Sequence, residues 1–141
     1  MNNYFRAIFE IIKTGHWITD QVSVELKEFD ISEPQYNVLR ILRGRDNKPA
    51  TVQEIQSQMI QRSSNVTRII DKLLIKELVE RKECPSNRRK MDITITKQGV
   101  DYLKILDQKL RSFHSSMINN LSSSELEQLG ELIKKLKGET Q

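Results

Sequence analysis

Cysteine occurs once in the 141 residues, at Cys84, so no internal disulfide can form, as expected of a chain that works in a reducing compartment. Aromatic residues make up only 6% and apolar residues 37%, which leaves little material for a thick core. No apolar run nears the roughly 18 residues that a membrane span needs. The start, MNNYFRAIFEIIKTGHW, has neither the basic segment nor the small-residue cleavage site of a secretory leader. The two histidines, His16 and His114, stand far apart and belong to no HExxH motif or Cys/His cluster. The sequence therefore names no catalytic residue, no metal set and no cofactor, and the expectation is a soluble, cytoplasmic chain that is not an enzyme.

What is present is charge, unevenly spread. Charged residues make up 30% of the chain, and the net charge is +4. Between Ser63 and Lys97 nine cations face five anions, so this quarter of the chain carries an excess equal to that of the whole. A local excess of this kind suits an anionic partner such as nucleic acid; a solvated surface is the bland alternative.

Helical spacing runs through most of the rest. Phe5, Ile8, Ile12, Ile18, Val22, Leu26 and Phe29 predict one long helix over 4–29, with Gly15 its weak point. Ser32-Glu33-Pro34-Gln35 starts a short buried helix ended by Gly44, and Thr51-Val52-Gln53-Glu54 starts another. A further helix is expected from about Ser63 to Glu77, which completes a helix-turn-helix pattern. Short β-rich stretches over 78–84 and 91–95 predict a hairpin whose turn, Ser86-Asn87-Arg88-Arg89-Lys90, puts three cations at its tip. Thr96 is expected to cap a helix reaching about Asn120, with Tyr102, Ile105, Leu106, Leu110 and Phe113 on its apolar stripe. Ser122 and Glu125 form a capping box for a last helix.

On a wheel of 100° per residue, Val66, Ile69, Ile70, Leu73 and Leu74 fall within an arc of about 140°. Ser64, Asn65, Arg68 and Lys72 lie opposite, and Ile75 interrupts that polar arc. An apolar back with small polar groups and arginine in front is what a major groove requires. Arginine forks onto guanine O6 and N7, asparagine pairs with adenine N6 and N7, and serine or threonine bonds phosphate or base. Ser63 and Ser64 at the helix start can offer backbone N–H groups to a phosphate. The guanidinium groups of Arg88 and Arg89 suit a minor groove or the DNA backbone.

These segments resemble the multiple antibiotic resistance regulator (MarR) family. The resemblance rests on Ser64-Asn65-Val66-Thr67-Arg68-Ile69-Ile70-Asp71-Lys72-Leu73, Leu78-Val79-Glu80-Arg81, Asn87-Arg88-Arg89 and Ile93-Thr94-Ile95-Thr96-Lys97-Gln98-Gly99. Gln35-Tyr36-Asn37-Val38-Leu39 and the terminal helices extend it over essentially the whole chain. It implies a mainly α fold with a small antiparallel β-wing. A single domain, 1–141, would hold a winged helix-turn-helix over 31–96 and dimerisation helices over 1–30 and 97–141. The implied function is a homodimeric, sequence-specific regulator, most often a repressor, that binds palindromic double-stranded DNA. Ser64, Asn65, Thr67 and Arg68 would read sequence, with Lys72 beside them, and Arg88 or Arg89 would be the wing arginine. The family often takes small aromatic or phenolic anions between the dimerisation helices and the winged domain, and His16, Trp17 and Tyr36 are the candidate contacts here. Two departures stand out. Asn87 replaces the usual aspartate that fixes the wing arginine, and Glu77 stands where the family commonly has glycine; unlike glycine, glutamate disfavours a left-handed helix end. Cys84, close to Arg81 and Lys82, is a candidate redox thiol, although the family's peroxide sensors keep theirs near the N-terminus. A winged helix used for protein contacts without DNA is the rival reading.

Overall fold

The computed structural model describes residues 2–46, 48–62 and 64–139, with Arg88 described by its backbone alone. In order, the elements are α1 (Asn3–Leu26), a 3-10 turn (Lys27–Phe29), α2 (Glu33–Arg43), α3 (Val52–Gln58), α4 (Val66–Ile75), β1 (Val79–Cys84), β2 (Asn87–Ile95), α5 (Lys97–Ser115) and α6 (Ser123–Leu136). The chain forms two compact units, one up to Lys109 and one from Leu110 onward. The fold is mainly helical with a two-stranded antiparallel sheet, as the sequence leads one to expect.

Helix starts follow the local signals. Ser32, Thr51 and Ser122 each accept a hydrogen bond from the backbone N–H three residues on, and Glu125 completes the box at Ser122 by reaching back to its N–H. Each such cap satisfies backbone donors that have no partner inside the helix. Gly15 lies inside an unbroken α1, and a Cβ there would meet nothing within 4 Å.

In the first unit α2 is the hub. It packs against α1, α3, α4 and β2, and buries Val38, Leu39 and Leu42. Ile55 from α3, Val66, Ile70 and Leu73 from α4, Ile93 from β2, and Leu103 and Leu106 from α5 are buried as well. On α5 the inward residue is Leu103, not the expected Ile105, which is half exposed. Tyr102 sits at the edge of the core, where its hydroxyl donates to the Phe29 carbonyl at 2.5 Å. α5 also stops at Ser115 rather than Asn120, and turns fill the interval before α6.

The sheet pairs Val79 with Ile95 and continues in register to Glu83 and Met91, after which Cys84 pairs with Asn87. Ala50 adds an isolated bridge to Ile93 through two backbone hydrogen bonds of 2.9 and 2.8 Å. Where α4 gives way to β1, Glu77 adopts a left-handed conformation, φ 61°, despite lacking glycine's freedom. The turn is held from outside. The Thr96 hydroxyl donates to the Glu77 carbonyl at 2.9 Å, and its N–H donates to the Leu78 carbonyl at 3.1 Å. Gly99 lies so close that a Cβ would sit 2.3 Å from that Leu78 oxygen, so only glycine fits.

Candidate nucleic-acid interface

The polar stretch before α4 offers three consecutive residues able to cap it. Ser63 lies outside the described residues, and the cap is Asn65, whose Oδ1 accepts from the Arg68 N–H at 3.2 Å. The helix therefore starts at Val66, later than expected, because the Ser64 N–H closes a turn onto the Gln61 carbonyl at 3.1 Å. Ser64 precedes the helix, and the Asn65 amide oxygen is engaged with the backbone.

Beyond the cap, the wheel holds. Val66, Ile70 and Leu73 are buried, and Ile69 and Leu74 are half-buried. Asn65, Thr67, Arg68 and Lys72 are exposed, and Ile75 stands out among them at 83% exposure. Arg81 reaches back from β1 to Asp71 at 3.4 Å, tying the wing to α4. Arg68 and Lys72 share a groove of about 380 Å³ with Ser64, Asn65 and Ile69 on one side and Ser32, Pro34 and Gln35 on the other. The start of α2 thus borders the exposed face of α4, a neighbourhood the sequence alone did not indicate.

The turn that presents α4 rests on two side-chain amides, one of them buried. Asn37, only 8% exposed, accepts from the Ile60 N–H at 2.9 Å. Gln56 donates to the Arg62 carbonyl. A buried amide that satisfies a turn's backbone fixes that turn more firmly than apolar packing, because leaving it unpaired costs about 1–3 kcal/mol. A lone polar residue inside the apolar run Tyr36–Leu39 was the available signal for Asn37.

At the wing the cations move from their expected place. The turn is Pro85-Ser86, and Arg88, Arg89 and Lys90 lie within β2. Because Glu83 pairs with Met91 and Cys84 with Asn87, all three fall in an irregularity with no residue opposite. The register shifts there, and Arg89 and Lys90 are exposed. Asn87 accepts from the Arg89 backbone N–H at 3.0 Å, so it shapes the chain. Cys84 lies beside Ser86, with Sγ and Oγ 3.2 Å apart, and these hydrogen bonds hold its thiol below the usual range.

The proposed effector contacts lie in different surroundings. Trp17, at 47%, and His16 are exposed on α1, whereas Tyr36 is buried. The Tyr36 hydroxyl donates to Asp107 at 3.0 Å, and Asp107 also pairs with Arg43 at 2.6 Å. Burial, together with the hydrogen bond to Asp107, pushes the Tyr36 phenol up to about 12. None of the three lines either of two larger clefts, of about 760 and 510 Å³, that flank the junction of α1 and α2. Among the described residues no group of three or more His, Cys, Asp or Glu could hold a metal ion, and no helix is long and apolar enough to cross a membrane.

Residues 31–91, from the α2 start to the wing, match the MarR family. The chain is 28% identical over 119 residues to the HTH-type transcriptional regulator MhqR of Bacillus subtilis, covering 84% of this chain and 81% of that one. It is 28% identical over 112 residues to the transcriptional repressor MprA of Escherichia coli, covering 79% and 63%. Its fold matches that of Staphylococcus aureus MepR in a DNA complex, with TM-score 0.81 at 19% identity over 99% of this chain and 100% of that one. Family match, relatives and fold agree with the exposed polar face of α4 and the cationic wing: residues 31–91 are a winged helix of the MarR family, the family of the transcriptional regulators that the chain resembles.

Proposed function

We propose that this chain is a dimeric, sequence-specific DNA-binding repressor of palindromic operators. The observation that carries the reading is the division of α4 into a buried stripe and an exposed face of Asn65, Thr67, Arg68 and Lys72. Arg68 can fork onto guanine, and Thr67 can meet a thymine methyl group or a phosphate. Asn65 caps the helix through Oδ1, so its free Nδ2 is the better donor to DNA. Ser64 and Lys72 flank these groups at the groove walls. In the wing, Arg88 and Arg89 would add salt-sensitive contacts to the backbone or minor groove. The DNA in the MepR complex and the repressor role in MprA's name favour the same reading for this chain.

The dimer is supported by apolar surface. Phe5, Phe9 and Ile12 on α1, and Leu126, Leu129, Ile133 and Leu136 on α6, are all exposed. Repeated along two helices, they make apolar patches of the kind that mark an interface. Two-fold symmetry then sets half-sites about one helical turn apart. Release by a small aromatic or phenolic acid completes the proposal, with His16 and Trp17 the exposed candidate contacts and Tyr36 a buried one.

Selection of bound sequences from random double-stranded DNA, with and without small aromatic acids, tests all three parts. The expected product is a palindrome with half-sites one turn apart, depleted when the acid is present. Recovery of no preferred sequence would favour the protein-contact rival. A palindrome unaffected by every acid would remove the effector alone.

A further inference from the structure

The two large clefts share a wall. Lys76 and Asp30 line both. Lys76 is the C-cap of α4, and its ammonium donates to the Asp30 carbonyl and to Gln35 Oε1, the latter at 3.1 Å. Asp30 is the left-handed residue, φ 52°, that ends the 3-10 turn after α1, and Gln35 is a 7% exposed residue in the first turns of α2. The preceding carbonyl, Phe29, accepts from the Tyr102 hydroxyl of α5. Two carbonyls freed at the end of α1 therefore receive donors from two distant elements, α4 and α5. The end of a long helix bears partial negative charge, and an ammonium there is favoured.

We propose that Lys76 is a positioning residue, a latch that fixes the far end of the reading helix to the α1–α2 junction and so sets the tilt at which Arg68 meets DNA. The inference rests on the DNA-reading function proposed above. Open clefts lie on both sides of the contact. The backbone end of α4 is already pinned toward α5 through Thr96 and Glu77, so Lys76 fixes the other direction. Arg68 lies eight residues away, about 12 Å along the helix axis. A small change of tilt at Lys76 is therefore a displacement comparable to a hydrogen bond's tolerance at the reading end.

The test compares wild type, Lys76→Met and Lys76→Arg on the DNA sequence that wild type selects, with hydrogen exchange of the free proteins alongside. Lys76→Met should bind about tenfold more weakly, the cost of roughly one mismatched base pair, with the salt dependence of binding unchanged. Its amides at residues 29–36 and 72–78 should exchange faster while those of α6 do not, and Lys76→Arg should restore both readouts. Should Lys76→Met not fold, Gln35→Met removes one partner and should give a smaller loss with the same unchanged salt dependence. Lys76→Met binding as tightly as wild type would overturn the latch. So would a salt slope reduced by about one, since that marks a lost phosphate contact. Wild type selecting no sequence would instead defeat the DNA reading itself, and with it any part Lys76 has in that reading.

Discussion

Arg68 is the residue on which the proposed base reading turns. It is exposed in the first turn of α4, where its backbone N–H is taken by the Asn65 cap. Arg68→Ala should cost about 1–3 kcal/mol of binding to the selected sequence and flatten the preference at one position; equal affinity in competition against scrambled DNA would remove Arg68 from that role. Glu77 carries a different lesson. Its left-handed backbone runs against the expectation that glutamate would disfavour this helix end, because Thr96 and Gly99 close on the turn and dictate it. The conformation costs a non-glycine residue roughly 1–2 kcal/mol. Glu77→Gly, partly offset by the greater flexibility of the unfolded chain, should therefore stabilise the protein by about 1 kcal/mol in urea denaturation.

At the scale of elements, the wing and the α2–α5 joint behave differently. The wing's exposed cations sit at a register shift of β2, where each adds positive charge. Arg89→Ala should weaken binding evenly across sequences and reduce the salt slope by about one, measured by titration at several ionic strengths; a loss confined to one sequence would assign Arg89 to base reading. At the joint, Tyr36 donates to Asp107, which also holds Arg43. The folded phenol titrates at about 12, above the roughly 10 of an unfolded tyrosine. The folded state therefore keeps its proton longer than the unfolded one. This contribution is complete below about pH 10 and is lost as the pH rises toward 12. Denaturation midpoints across that range should fall more steeply for wild type than for Tyr36→Phe, and parallel curves would contradict the linkage.

For the whole molecule, the central quantity is how much apolar surface one chain leaves uncovered. No side chain of α6 is buried, although its leucines and Ile133 follow helical spacing. An exposed apolar stripe of this kind is the ordinary signature of an intermolecular face. Sedimentation at micromolar concentration should give twice the mass of one chain, and Leu129→Glu with Ile133→Glu should lower it to one. A wild-type monomer would refute the dimer, whatever the DNA experiments show.

Local chemistry was enough to place most helix starts and the buried face of α4. A capping side chain acts three residues away, and helical periodicity is written in the sequence at steps of three and four. The stretch Ser63–Asn65 shows where this runs out: three successive capable caps are locally equivalent, and the turn from Gln61 to Ser64 chose Asn65. Composition alone puts the wing cations in a turn, but strand register depends on which residues pair, and a shift between Glu83 and Cys84 places them in β2. Likewise Lys76 reads in sequence as one cation among nine. Only the packing of α4 against α2 brings its ammonium to Asp30 and Gln35, contacts 46 and 41 residues away along the chain.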